Sequence, residues 1–529
     1  GLQYHLGFEV AYAVGDDLCG RNARFADADG IAFGFQIAHQ HRRTTHSPFS
    51  IGLLVAFLLL MLCSCAPKGS APAQLSMGLD GVQYEPPLPA SWELPNGLTI
   101  IFLQDSELPL VQGALFVKGG GLWEPENRPG LAAVMGDQMR QGGAGKLSAD
   151  ALDRELERLA ASVGSSFGPE YGKFGFSCLR SDVDTVFRLF ADVVLHPRFE
   201  SERLDLWKGQ ALESIRRRTD EPGTIAGISF SQLLYPDSVY GRVPVAKDVQ
   251  AISRSDLQKL HFEFVNPRDA ILVITGNLDR ATVQALADKY FGAWRTNALE
   301  LPPPPTVTLA PKPGIYFLSY PFAQATILMG ELGPKRLSPD YAAIDMFNEV
   351  FGAAGFSSRL TKRVRTELGL AYGVYGAVAP GVEKGKAVIN LQTKAESSGQ
   401  AMIEAILAVR GLQQAFASDA ELAEARRSIT NSFIFRFDTS EDLVQRAALL
   451  KLLQYPLNYD ATYVAKISAV SPKDVQAAAR RYWHPSDFVV VVVGNETAYN
   501  SIQAALKAHP DVLPGMEITK VRFDQKLEM

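Results

Sequence analysis

Residues able to do chemistry are sparse in this chain, and the most telling group is defined by what stands at its positions. In the stretch Pro129-Gly130-Leu131-Ala132-Ala133-Val134-Met135-Gly136-Asp137-Gln138-Met139, Ala133, Gly136 and Asp137 stand at i, i+3 and i+4. On a helix that spacing puts them on one face. The face offers a methyl group, bare backbone and one carboxylate. A catalytic zinc takes three protein ligands and keeps one position for water, so Asp137 alone cannot hold one. Imidazoles do not gather elsewhere: beyond residue 90 only His196, His261, His484 and His509 occur, no two within four residues of each other. Of four cysteines, Cys19, Cys63, Cys65 and Cys178, only the last lies in the globular body, where it reads as a buried small hydrophobe. The Gly119-Gly120-Gly121 run lacks the lysine and helix start of a phosphate-binding loop and reads as backbone geometry at a strand end.

The elements that would position this face follow from periodicity. A strand is expected over 112–117, before the Gly130–Met139 helix. Ser148 can cap a following helix whose Leu152, Leu156 and Leu159 form an apolar stripe. An alternating strand then spans Tyr171 to Leu179. Further along, Ala251, Ser253, Asp256, Gln258, Pro267, Asp269, Val273, Gly276 and Asn277 recur as Ala469, Ser471, Asp474, Gln476, Pro485, Asp487, Val491, Gly494 and Asn495. Every pair is separated by 218 residues without a gap, which marks an internal duplication. Each copy reads as helix, turn and buried apolar strand, Ala270 to Thr275 and Phe488 to Val493. Leu301-Pro302-Pro303-Pro304-Pro305 is a stiff joint between the halves. The expected organisation is an upstream segment and signal over 1–64, a flexible tether over 65–88, one α+β domain over 89–300, a Pro-rich linker over 301–312, a second α+β domain over 313–510 and a tail over 511–529.

With 529 residues, 47% hydrophobic composition and a formal charge of −5, the chain is long enough for two sizeable cores and has no basic tract for nucleic acid. The first methionine is Met61, and residues 1–46 are set aside from fold reasoning. His41-Arg42-Arg43 followed by Ile51 to Leu62 has the basic and apolar regions of a signal peptide and is too short to span a bilayer. Leu62-Cys63-Ser64-Cys65 after it resembles a bacterial lipobox, with Cys65 as the lipidated residue because Ser64 before it is small. That resemblance implies a membrane-anchored lipoprotein in the bacterial cell envelope, facing the periplasm from the outer membrane.

The succession of elements from about Trp92 to Leu506 resembles the insulinase/pitrilysin family of zinc peptidases, to which the mitochondrial processing peptidases belong. In that family the first helix runs P-G-L-A-H-x-x-E-H, so the two histidines fall on Ala133 and Asp137 and the glutamate base on Gly136. The downstream glutamate ligand falls on Ser214, and a shift of one residue to Glu213 would turn the side chain by about 100° away from the site. In the second half, Gly355-Phe356-Ser357-Ser358-Arg359-Leu360 and Arg365-Thr366-Glu367-Leu368-Gly369-Leu370-Ala371-Tyr372 resemble the family's G-x-x-S-R-L and R-x-x-x-G-L-A-Y segments. The resemblance implies that Arg365 and Tyr372 bind the substrate backbone and steady the tetrahedral intermediate, and a guanidinium and a phenol are donors suited to that task. Arg359 and Arg363 are expected to be structural.

The resemblance implies two homologous domains, each a mainly antiparallel sheet packed with helices, that help enclose a chamber for peptides. The expected function is that of a non-catalytic, substrate-binding subunit of a heterodimeric zinc metalloendopeptidase. The chain itself would bind no metal or other cofactor. Zinc would lie in a partner family member with an intact H-x-x-E-H helix, and Arg365 and Tyr372 would reach that site. Peptide would add as a strand to a sheet edge. The rival reading is an inert lipoprotein scaffold or peptide-binding module. An autonomous enzyme with a different site is disfavoured by the scattered histidines.

Overall fold

The computed structural model describes residues 87–297, 299–456 and 458–523. The signal segment, Cys65 and all of the expected tether except Pro87 and Leu88 lie outside the described residues. No helix among the described residues is long and apolar enough to cross a membrane.

Twelve strands form two six-stranded sheets of the same plan. The first comprises β1 (Ala90–Glu93), β2 (Thr99–Gln104), β3 (Leu110–Lys118), β4 (Ser162–Phe167), β5 (Tyr171–Leu179) and β6 (Ala270–Gly276), in the order β1-β2-β6-β3-β5-β4. The second comprises β7 (Gly314–Ser319), β8 (Gln324–Gly333), β9 (Ala371–Ala379), β10 (Gly385–Lys394), β11 (Val489–Gly494) and β12 (Ile518–Val521), in the order β12-β7-β11-β8-β10-β9. Most pairings are antiparallel; β2 with β6, and β7 with β11 and β12, run parallel. The stretch expected as a C-terminal tail thus supplies β12, a four-residue edge strand with its two central residues exposed.

The duplication is visible in the caps. Ser253 and Asp256 form a capping box on the Arg254–Phe264 helix, and Ser471 and Asp474 form the same box on Pro472–Tyr482. Each box satisfies backbone N–H groups that a helix start leaves unpaired, which accounts for the recurrence of those residue types.

Each sheet packs its own half's helices on one face. The other face is covered by a helix from the opposite half, an exchange that periodicity does not reveal. Helix Pro222–Leu234 lays Ile225, Ala226, Phe230, Leu233 and Leu234 on Tyr316, Leu318 and the valines of β11. Helix Ser440–Leu452, 218 residues further on, lays Val444 and Ala448 on Ile101, Ala114, Phe116, Ile271 and Val273 of the first sheet. Covered on both faces, β6 and β11 are buried at every residue, hence their continuous apolar sequences. Each fully buried Phe or Leu in these contacts contributes about 1.5–3 kcal/mol. Polar contacts add register: Gln112 Nε2 donates to Glu441 (2.9 Å) and Lys173 Nζ to Gln445 (2.7 Å). Arg336 of the second half also grips Glu170 of the first through two hydrogen bonds of 2.7 and 2.6 Å, with both side chains largely buried.

Candidate functional site

The expected metal helix is Leu131–Gln141, entered through a left-handed Gly130. Its first turn is capped by Glu124, whose carboxylate accepts the N–H of Gly130 at 2.7 Å and of Ala132 at 3.1 Å. Burial pushes that carboxyl up to about 7, against the pull of these N–H groups and of Arg242.

One turn on, Gly136 lies directly against β4. A Cβ at this position would sit 2.5 Å from Phe167 N and 2.8 Å from the Ser166 carbonyl carbon. The Ser165 hydroxyl donates to the Gly136 carbonyl at 2.5 Å, locking the contact. No side chain fits where the family places its glutamate base. Ala133 is exposed, and Asp137 is half-buried with Oδ2 accepting Trp207 Nε1 at 3.1 Å. Burial pushes the Asp137 carboxyl above its usual range, opposed by the indole bond. Trp207 and Ser214 ride on the Ser201–Arg216 helix at i and i+7, on one face, and Ser214 is half-buried. Glu213 turns aside and is held by Arg216 and Arg217. One carboxylate and a hydroxyl, with the base position closed by backbone, do not fit a zinc ion.

β4 pairs only with β5, so its other side is a sheet edge. Arg140 Nε already takes the Val163 carbonyl at its start, at 3.0 Å. Small residues, Gly164, Ser165 and Ser166, occupy the rest of the strand up to Phe167.

In the second half the arginines of the 355–372 segment part ways. Arg359 forms a two-pronged pair with Glu421, at 2.6 and 2.8 Å. Arg363 pairs with Glu404 and Glu367. Arg365 has no ion pair or hydrogen bond from its side chain among the described residues. Its guanidinium lies 4.6 Å from the centroid of Phe356 and 5.6 Å from that of Tyr372, rings that are 67% and 79% exposed. A π-helical stretch, Lys362–Glu367, presents Arg365, and Tyr372 begins the edge strand β9. With no partner for its N–H groups among the described residues, the guanidinium is open to an oxygen acceptor.

The structure therefore gathers Ala133, Gly136 and Asp137 on one helix beside Ser214's helix, and Arg365 with Tyr372 in the other half. No hydrogen bond or ring contact among the described residues joins the two groups. Sequence reasoning missed Trp207 and Phe356. The first was signalled by its place two helical turns before Ser214, the second by lying inside the Gly355–Leu360 motif. It also missed that Glu331, His484 and Asp487 come together, with ligand atoms within 4.8 Å of one another. Glu331 there caps the chain at His484, accepting its backbone N–H and lying 2.9 Å from Nδ1. Cys178 is buried, and its thiol is pushed up to about 12 by desolvation, as suits an inert core residue.

Family models match most of this architecture: the insulinase (peptidase family M16) model over residues 100–229 and the peptidase M16 inactive domain model over 251–429, together more than half of the chain. The chain belongs to the insulinase family. It is 26% identical over 292 residues to an uncharacterized zinc protease of Mycobacterium leprae, a match covering 54% of this chain and 64% of that protein. It is 22% identical over 407 residues to a non-peptidase homolog of Helicobacter pylori, covering 75% of this chain and 92% of the other. Among solved structures, the peptidase M16 inactive domain from Pseudomonas fluorescens superposes with a TM-score of 0.71 at 25% identity, covering 77% of this chain and 98% of that one. Resemblance to an inactive domain and to a non-peptidase homolog fits a non-catalytic insulinase-family member.

Proposed function

We propose that this chain is the non-catalytic, substrate-binding subunit of a heterodimeric zinc metalloendopeptidase of the insulinase family. Its partner is a family member with an intact H-x-x-E-H helix, which brings the zinc and the base. Arg365 and Tyr372 reach toward that site and donate to the carbonyl oxygen of the bound peptide. Peptide adds as a strand to a sheet edge, with β4 offering a stretch of small residues. The lipobox-like Cys65 anchors the complex to a bacterial membrane on the periplasmic side.

One observation carries this reading: Arg365 has no ion pair or side-chain hydrogen bond among the described residues and lies against the exposed rings of Phe356 and Tyr372, while Arg359 and Arg363, six and two residues before it, are neutralised by glutamates. An exposed arginine with no duty would gain from pairing like its neighbours. A guanidinium kept free and oriented suits an acceptor from outside the chain.

The test is reconstitution with an insulinase-family member of the same organism that carries an intact H-x-x-E-H helix. Each subunit alone should be inactive, the pair active, and metal analysis should find zinc only in the partner. Arg365→Ala should lower kcat/KM by about 10²-fold or more with assembly intact, the scale of removing one donor to a developing oxyanion. Full activity in both Arg365→Ala and Tyr372→Phe would leave the scaffold reading standing instead.

A further inference from the structure

We infer that the former metal position has become a cation subsite: Asp137, oriented by Trp207, pairs with an ammonium or guanidinium of the bound peptide. The inference rests on the peptide-binding reading above and adds a selectivity to it.

The first support is an accounting of carboxylates removed from water. Glu170 is paired with Arg336, Glu331 with His484 and Glu124 with two helix N–H groups, whereas Glu349, like Asp137, has a single neutral donor, the Ser428 hydroxyl. Asp137 has one neutral indole N–H on Oδ2 and no ion pair among the described residues. A half-buried carboxylate with one neutral donor carries an uncompensated desolvation cost. An incoming cation would offset that cost at the remaining oxygen through a charge-assisted bond.

Placement is the second support. The helical turn holding Ala133 and Asp137 is pressed on β4 through Gly136, whose Cα direction meets Ser166 and Phe167. Counting 100° per residue, Asp137 flanks that contact, between the β4 edge and the helix that carries Trp207. A strand added to β4 runs past this carboxylate. Ala133, exposed one turn away, leaves space where a longer side chain would stand over it. An anionic or apolar peptide group at this place would leave the carboxylate desolvated and unpaired. Trp207, buried and donating through Nε1, fixes which oxygen is turned outward.

The cation has two sources of one chemistry, a basic side chain or the peptide's own N-terminus. Fluorescein-labelled extended peptides separate them: a series with lysine scanned against norleucine, and the same peptides with free or acetylated N-termini, titrated into the full chain by fluorescence anisotropy. At least one lysine register, or the free N-terminus, should bind about tenfold tighter than its neutral counterpart. Asp137→Asn should erase that preference, since asparagine still offers an oxygen to Trp207 Nε1 but carries no charge to pair with a cation. Trp207→Phe should weaken the preference without reversing it. Equal binding of cationic and neutral peptides by the unaltered chain, or a preference that survives Asp137→Asn, overturns the inference and leaves the peptide-binding reading in place. Failure of every peptide to bind overturns both.

Discussion

The contact between Gly136 and β4 can be tested with a pair of alanines. Gly136→Ala places a Cβ 2.5 Å from Phe167 N, 2.8 Å from the Ser166 carbonyl carbon and 3.0 Å from Ser166 Cα. These are backbone atoms in a strand laddered to β5, so relief requires the helix or the strand to shift. Overpacking of this kind costs about 1–3 kcal/mol, against about 1 kcal/mol gained from alanine's helix propensity. With backbone as the obstacle the cost falls in the upper part of its range, giving a net loss of about 1–2 kcal/mol. Gly209 is the internal control. It lies within the Ser201–Arg216 helix, and a Cβ there meets nothing within 4 Å, so Gly209→Ala should stabilise by about 0.5–1 kcal/mol. Urea unfolding followed by tryptophan fluorescence should therefore move the two midpoints in opposite directions. If Gly136→Ala proves as stabilising as Gly209→Ala, the close approach is wrong and the argument that no base fits here falls with it. If it holds, restoring histidines at 133 and 137 and glutamates at 136 and 214 will not recover a zinc enzyme, because residue 136 needs a Cβ before it can have a carboxylate.

Two further outcomes follow from buried charges. Arg336→Met should cost about 3–5 kcal/mol in denaturant unfolding by stranding the Glu170 carboxylate, and the double variant with Glu170→Gln should recover much of that loss. Glu124 should make stability pH-dependent: folding raises its pKa from 4.5 to about 7, so the folded chain binds the proton more tightly, and the contribution present below about pH 4.5 is lost as pH rises through 7. The loss is up to about 3 kcal/mol at 1.36 kcal/mol per unit, and Glu124→Gln should flatten the thermal stability profile across that window.

The sequence made the duplication and the α+β class legible because each rests on local rules. Capping boxes at Ser253 and Ser471 recur with their helices, and the apolar runs of β6 and β11 announce strands covered on both faces. What covers them was not legible, since the moderate amphipathicity of Pro222–Leu234 and Ser440–Leu452 is the same whether a helix lies on its own sheet or on the other one. Strand β12 escaped for a related reason: Ile518-Thr519-Lys520-Val521 carries too little apolar content to declare itself, and only the parallel edge of β7 gives it a place. At the site, the spacing of Ala133, Gly136 and Asp137 identified the face, but the reason Gly136 is glycine lies in β4, about thirty residues away and invisible to helical periodicity.

The exchange of helices also gives the first half a part in the geometry of the second. Arg365 and Tyr372 belong to the second sheet's half, yet that sheet is closed on one face by Phe230, Leu233 and Leu234 of the first half. Tyr235, at the end of the same helix, donates its hydroxyl toward the carbonyls of Lys384 and Gly385, where β10 starts beside β9. Removing the first half would expose the valine face of β11 and free the start of β10. The edge strand that carries Tyr372 is thereby held by residues on the far side of the duplication. Whatever residues stand at 133, 136 and 137, the packing supplied by the first half bears on the geometry of Arg365 and Tyr372.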